Sequence, residues 1–353
     1  MNIEKLTENA ISLLKNLIET QSFSSEEENT AKLIEGWFSE HEIPFKRTKN
    51  NIWATSKHFD ESKPTLLLNS HHDTVKANKS YTNDPFNPIE EDGKLYGLGS
   101  NDAGGCLVSL MVTFLWFYEQ QDLKYNLILA ATAEEEISGA NGIACIKEIL
   151  PDIDFAIVGE PTEMNLAIAE KGLLVLDIYV NGTSGHAAHK NNDNAIINAV
   201  PDIEWFKNYQ FNKVSNILGE VKMTVTKINA GSQHNVVPDS CHFVVDVRVN
   251  ELYSNKEIYD IIKENIKGEV KARSFRLNSS SISDNHPIVI AGLELGKLTY
   301  GSPTISDQAL LNCHSIKIGP GKSSRSHSAN EFIYLKDVKE GIELYKNILN
   351  KVL

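Results

Sequence analysis

Five segments of this chain place metal-ligating side chains just past apolar runs. In Thr65-Leu-Leu-Leu-Asn-Ser-His71-His72-Asp73, an apolar run of strand length, preceded by Pro64, ends in two imidazoles and a carboxylate. Asp102, Glu134-Glu135-Glu136, Glu160 and His327 repeat the design further along. Short apolar runs bounded by polar residues read as buried strands of a parallel sheet. Ligands of such sheets gather beyond the carboxyl ends of the strands. Imidazole and carboxylate donors suit Zn, and also Co, Mn or Fe. A bridging carboxylate with two further donors on each side would hold two ions roughly 3.5 Å apart. Taken singly, each residue is more simply a solvated acid or a satisfied core histidine. Taken together, at the ends of successive buried strands where uncompensated charge is costly, they predict a metal centre.

The 353 residues, 41% of them hydrophobic, suffice for two domains. A formal net charge of -13, without clustered Lys and Arg, excludes a nucleic-acid partner. The opening Met1-Asn-Ile-Glu-Lys-Leu-Thr-Glu lacks the basic-then-apolar pattern of a secretory signal. No apolar run reaches membrane-spanning length, so a cytoplasmic protein with no membrane partner is expected. Cys106, Cys145, Cys241 and Cys313 lie far apart, without a C-x-x-C pair, and read as reduced thiols.

The elements that must position the candidate ligands follow from periodicity. Leu6, Ala10, Leu13, Leu14, Leu17 and Ile18 recur at helical spacing, and Ser25-x-x-Glu28 has the form of a capping box opening a second helix. Expected strands over residues 51–56, 65–68, 127–132 and 155–159 alternate with expected helices over 107–117 and 142–150. This is the grammar of a three-layer α/β domain with a mostly parallel sheet. From Leu173 the expected order is strand, helix, strand, strand, helix, strand, the last strand covering residues 270–277. Such a βαββαβ order is a ferredoxin-like α+β unit. The chain is therefore expected to divide into a discontinuous metal-binding domain, 1–172 and 284–353, and an inserted domain, 173–283. A polar segment from Asn278 makes the return linker.

His71-x-Asp73, Gly99-Ser-Asn-Asp102-x-Gly-Gly, Glu135-Glu136, Gly159-Glu160-Pro161 and His327-Ser-x-Asn-Glu331 resemble, in the same order, the metal-site motifs of the M20 family of metallopeptidases and amidohydrolases. That family includes acetylornithine deacetylases, succinyl-diaminopimelate desuccinylases, carboxypeptidases and aminoacylases. The resemblance implies that Asp102 bridges two divalent ions, most simply Zn, with Co as the alternative. One ion is then also held by His71 and Glu160, the other by Glu136 and His327. It further implies that Asp73 orients His71 and that Glu135 is the general base, with Glu134 in the leading position of the triplet.

Gly182-Thr-Ser-Gly-His186-Ala-Ala resembles a family segment whose histidine reaches the active site of the partner subunit, which implies a homodimer formed through the inserted domain. The plain reading of His186 is a solvated loop histidine. Asn235 and Arg248 match family positions that contact substrate, and a guanidinium is a natural reader of a carboxylate. The plain reading of Arg248 is an ion pair at a sheet edge. Gly321 matches a glycine loop that approaches the substrate, or is a simple turn. His72 alternates away from its neighbours and is expected only to pack.

The implied activity is hydrolysis of the amide of a small N-acyl amino acid, as in acetylornithine deacetylases, with acylated citrulline or lysine as related substrates. The alternative is a dipeptidase or carboxypeptidase of the same family, or a succinyl-diaminopimelate desuccinylase. Glu160 favours deacylation, because family aminopeptidases usually carry Asp there. Glu170-Lys171-Gly172 departs from the paired arginines of the desuccinylases, and Glu170 would suit a cationic or neutral polar substrate end. A metal-free binding relative should have lost a ligand or the base, and neither loss is visible.

Overall fold

The computed structural model describes residues 2–190 and 193–353. Two compact units are present: Met1–Ile168, Ser281–Tyr300 and Ser306–Leu353 form the larger, and Ala169–Ser280 with Gly301–Ile305 the smaller. The smaller unit thus begins before residue 173 and takes up a short stretch expected in the larger one.

In the larger unit the strands lie in the order Lys46–Thr48, Asn51–Thr55, Asn126–Thr132, Thr65–His71, Phe155–Val158, His314–Lys317, Leu166–Glu170. The four from Asn126–Thr132 to His314–Lys317 pair in parallel, while Asn51–Thr55 and Leu166–Glu170 run antiparallel to their neighbours. Every residue of Thr65–His71 and of Asn126–Thr132 is buried. That two-sided burial is why both read as continuous apolar runs rather than alternating ones. Leu66 and Leu68 belong to the main core, together with the helices Ile3–Glu19, Gly105–Phe117 and Leu335–Val352, which pack on one another. Since side chains alternate along a strand, Asn69 and His71 project from the other face. The helix Gly105–Phe117 is apolar on nearly every side because it is buried on nearly every side. It starts in a crowded place. A Cβ on Gly104 would stand 2.5 Å from the Gly99 carbonyl oxygen, and one on Gly105 2.3 Å from Ile333 Cδ1.

Three local expectations are corrected. The capping box at Ser25 does not form: the helix Glu28–Glu40 begins without a side-chain cap, because Ser25, at φ 72°, turns its hydroxyl to Glu134. The helix expected over 142–150 has one regular turn, Ile143–Ile146. The strand expected over 270–277 covers Glu269–Ala272 only.

The smaller unit is a four-stranded antiparallel sheet in the order Lys222–Ala230, Ser240–Val249, Gly172–Asn181, Glu269–Ala272. With the helices Ala195–Asn208 and Asn255–Asn265 the chain order is βαββαβ. Leu174, Leu176 and Ile178 pack against Phe243, Val245, Ile258 and Ile262 in a second core. A capping box does occur here, between Ser254 and Glu257. On the outer face Arg273 grips Asp177 with two hydrogen bonds, 2.7 and 3.1 Å, and holds its carboxyl down to about 2. All four cysteines are free. Among the described residues no helix is long and apolar enough to cross a membrane.

His72 packs, as expected, and also ties the strand end to two other segments. Its Nε2 lies 2.8 Å from the Asn50 carbonyl oxygen and its Nδ1 2.9 Å from Thr30 Oγ1. Burial holds the imidazole down to about 4, against an ordinary 6.5. The unfolded chain therefore takes up this proton first, so its contribution to stability is complete above pH 6.5 and is lost as pH falls from 6.5 toward 4. Urea titrations of wild type and His72→Gln between pH 7 and 5 should show the smaller loss in the variant; equal losses would place the acid sensitivity elsewhere.

Candidate metal centre

Beyond the ends of the central strands, donor atoms of His71, Asp102 and Glu136 lie within 4.8 Å of one another, and so do those of His71, Glu135 and Glu160. Asp102 stands between two histidines, with Oδ1 3.4 Å from His71 Nε2 and Oδ2 3.6 Å from His327 Nε2. Glu160 Oε1 flanks His71 Nε2 at 3.7 Å, and Glu136 Oε2 is 2.9 Å from His327 Nε2. Two donors on one tetrahedral ion, each about 2.0–2.2 Å from it, stand roughly 3.3–3.6 Å apart. The separations around Asp102 and His71 are close to that distance, whereas Glu136 and His327 are directly hydrogen-bonded. His71 Nε2 and Glu136 Oε1 are buried with no hydrogen-bond partner among the described residues, an expensive arrangement unless a cation coordinates them. The residues present fit a pair of ions.

Backbone capture sets these side chains in place. His71 Nδ1 lies 2.9 Å from the Asp73 carbonyl oxygen and 3.4 Å from its Oδ1; a proton on Nδ1 leaves Nε2 as the free lone pair. The Asp73 carboxylate also accepts from Ser24 Oγ, 2.7 Å, and from the backbone N–H groups of Glu135, 3.0 Å, and Glu136, 3.2 Å. One anion therefore orients a histidine and pins the acidic pair. Glu331 does the equivalent for Asp102, its Oε1 accepting the N–H groups of Asn101 at 2.8 Å and Asp102 at 2.9 Å. Asn101 then clips the loop leading to His327, donating to the Lys322 carbonyl and accepting its N–H. Gly321, at φ +88°, has a packing reason of its own, because a Cβ there would stand 2.5 Å from Asn101 Oδ1. Glu134 turns away from the centre and accepts from Ser25 Oγ and from the backbone and side chain of Asn141. Ser24 and Asn101 went unassigned in the sequence, since a polar residue on a loop has no signature until its partner is known. Glu331 was visible only as the last letter of a motif.

Four carboxylates against two imidazoles leave the group short of positive charge. Burial, and then the neighbouring Asp102, push Glu160 up to about 8. Burial and Glu160 push Glu135 well above the usual carboxylate range. Burial also disfavours a charged Asp102, but the adjacent His71 imidazole holds it below its ordinary value. Glu136 lifts His327 to about 9. A divalent cation would supply the positive charge that the group lacks, and would bind these oxygens and imidazoles in their deprotonated forms.

His186, Asn235 and Arg248 lie in the smaller unit. His186 pairs with Val236 in a short ladder, and the next N–H, of Ala187, donates to the Asn235 carbonyl. His186 Nδ1 accepts from Ala188 N–H at 3.1 Å, which leaves the proton on Nε2. Arg248 is held by Asp246 through Nε at 2.8 Å and Nη2 at 3.1 Å. That is an ion pair, and it leaves the guanidinium with further N–H donors. Glu170 is wholly buried and offers no exposed carboxylate to a substrate.

Residues 67–351 match the description of Peptidase family M20/M25/M40. The chain belongs to this family. The acetylornithine deacetylase of Proteus mirabilis is 29% identical to it, over 98% of this chain and 90% of that protein. The succinyl-diaminopimelate desuccinylase of Wigglesworthia glossinidia brevipalpis is 28% identical, over 98% and 99%. Among solved structures, a tripeptidase from Staphylococcus aureus superposes with a TM-score of 0.76 at 21% identity, covering 98% of each chain. The YXEP protein of Bacillus subtilis, described as a dinuclear metal-binding peptidase of the M20 family, gives 0.76 at 16% identity, again over 98% of each. This M20 protein is a metal-dependent amidohydrolase. Co(II) titrated into the M20 protein and followed by visible absorption should bind about 10–100-fold more weakly to Asp73→Ala, which releases both glutamate amides and the His71 ring. Unchanged affinity would show that this carboxylate holds nothing the ions feel.

Proposed function

We propose that the protein removes an N-acyl group from a small amino acid, as the acetylornithine deacetylases do, with acylated citrulline or lysine as the nearest related substrates. One observation carries the two-ion part of this reading, the two oxygens of Asp102 divided between His71 and His327, 3.4 and 3.6 Å away; the choice of an N-acyl substrate rests on the deacetylase and desuccinylase relatives. In this reading His71, Asp102 and Glu160 would hold one ion and Asp102, Glu136 and His327 the other, Zn or Co in each case; the chemistry such ions would supply is Lewis acidity toward an amide carbonyl and a bound water.

The remaining work belongs to the chain. A carboxylate oxygen of Glu135 accepts the proton of the attacking water and returns it to the nitrogen of the leaving amine. Its position is held by the Asp73 carboxylate through the Glu135 N–H. Its carboxyl is pushed upward by burial and by Glu160, which favours its taking up a proton. His186, with its proton on Nε2, donates to the oxyanion that forms at the attacked carbonyl. Asn235 and the spare N–H groups of Arg248 bind the amino-acid end, and Gly321 brings backbone close to it.

The protein acts as a cytoplasmic homodimer joined through the smaller unit. In support, the edge strand Lys222–Ala230 is unpaired on one side among the described residues. It exposes Ile228 at 51%, and the helix in contact with it exposes Ile197 at 64%.

Incubation with a mixed panel of N-acetyl and N-succinyl amino acids and dipeptides should deplete an N-acyl amino acid. Depletion of dipeptides alone overturns the reading, and depletion of the succinyl members selects the desuccinylase alternative. On the substrate found, Glu135→Gln should lower kcat by about 10²–10⁴-fold with two ions still bound by elemental analysis; loss of an ion would exchange the roles of Glu135 and Glu136. His186→Ala mixed with Glu135→Ala should recover partial activity through hybrid dimers. No recovery would mean that His186 acts within its own chain or not at all.

A further inference from the structure

Asp307 is a buried acid that the reaction does not use. It opens the short turn Asp307–Leu310 and is 2% exposed. Its Oδ2 accepts from Asn69 Nδ2 at 2.9 Å and from Thr132 Oγ1 at 2.8 Å. Both donors are themselves wholly buried, and they belong to neighbouring parallel strands, Thr65–His71 and Asn126–Thr132. Thr132 is the register partner of His71 and stands three residues before Glu135. Asn69 stands two residues before His71, so its side chain leaves the sheet on the same face. A single carboxylate oxygen thus joins the two strands near the ends from which His71 and the Glu135–Glu136 pair follow.

A buried carboxylate is a costly way to fill space. Burial pushes Asp307 up to about 6 even though the Asn69 and Thr132 bonds favour its charged form. Apolar side chains of similar volume would pack the same position more cheaply. What they lack is direction: two charge-assisted hydrogen bonds fix the separation of two strand ends in a way that packing does not.

We propose that Asp307 is a positioning residue of the metal centre: by strapping Asn69 to Thr132 it sets the spacing between His71 and the Glu135–Glu136 pair. This rests on the ligand assignment made above. The test is a Co(II) titration of the full chain, which needs no knowledge of the substrate, reading affinity and the visible absorption bands. Asp307→Ala should bind Co(II) about 10–100-fold more weakly and with altered bands. Asp307→Asn, whose amide oxygen still accepts both bonds, should stay within about threefold of wild type. Should Asp307→Ala fail to fold, Thr132→Val removes one of the two donors at nearly constant volume and should weaken binding about 3–10-fold. Affinities within twofold of wild type in folded Asp307→Ala or, where that variant does not fold, in Thr132→Val overturn the proposal. Equal losses in Asp307→Asn and Asp307→Ala overturn it as well, because the effect would then belong to charge and not to the strap. A wild-type chain that takes up no Co(II) overturns the ligand assignment itself, an outcome separate from a wild type that binds normally beside unaffected variants.

Discussion

Asp102 offers one oxygen to each of two histidines, and much of the larger unit serves to keep it doing so. A carboxylate shared in this way must sit where its two faces are both occupied, with Glu160 on one flank and Glu136 on the other. Four acids within such reach repel one another strongly once water is excluded. The structure withstands the crowding because two histidines are in the group and because the donor atoms point inward, toward positions where cations would be shared. Two of those atoms, His71 Nε2 and Glu136 Oε1, have no hydrogen-bond partner among the described residues.

Crowded charge also has to be held still, and the chain does this mainly through main-chain amides. Asp73 and Glu331 are acids that reach no ion in the proposed assignment. Each closes its oxygens over backbone N–H groups, those of Glu135 and Glu136 in one case and of Asn101 and Asp102 in the other. Holding a loop by its backbone leaves its side chains free to coordinate or to move a proton. Ligand geometry in such a centre depends on the side chains behind the donors nearly as much as on the donors themselves, and here Ser24 bonds the Asp73 carboxylate and Asn101 the backbone of Lys322.

The smaller unit obeys simpler physics. Its sheet is antiparallel with one face covered, so Gly172–Asn181 alternates buried and exposed residues as a half-covered strand should. Its polar outer face is organised by local ion pairs, Arg273 with Asp177 and Arg248 with Asp246. The second of these means that a substrate carboxylate would share Arg248 with Asp246 rather than find a free guanidinium.

How much of this was legible without coordinates differs by level. Strand and helix order, the βαββαβ unit and the segments whose donor atoms the fold brings together were readable, because burial on both faces writes continuous apolar runs and burial on one face writes alternation. Local signals failed where tertiary partners outbid them. Ser25 has the spacing of a helix cap, yet its hydroxyl goes to Glu134; Glu170 reads as an acid suited to a polar substrate end, yet it is buried. Asp307 carried no motif at all, since its meaning lies in Asn69 and Thr132, 238 and 175 residues away in the chain. Composition and periodicity determine which residues go inside and in what kind of element, because those preferences act over a few residues. Which buried polar atom meets which other is decided only when the strands are laid side by side, because hydrogen bonds and ion coordination depend on distances of a few ångström between segments that the sequence holds far apart.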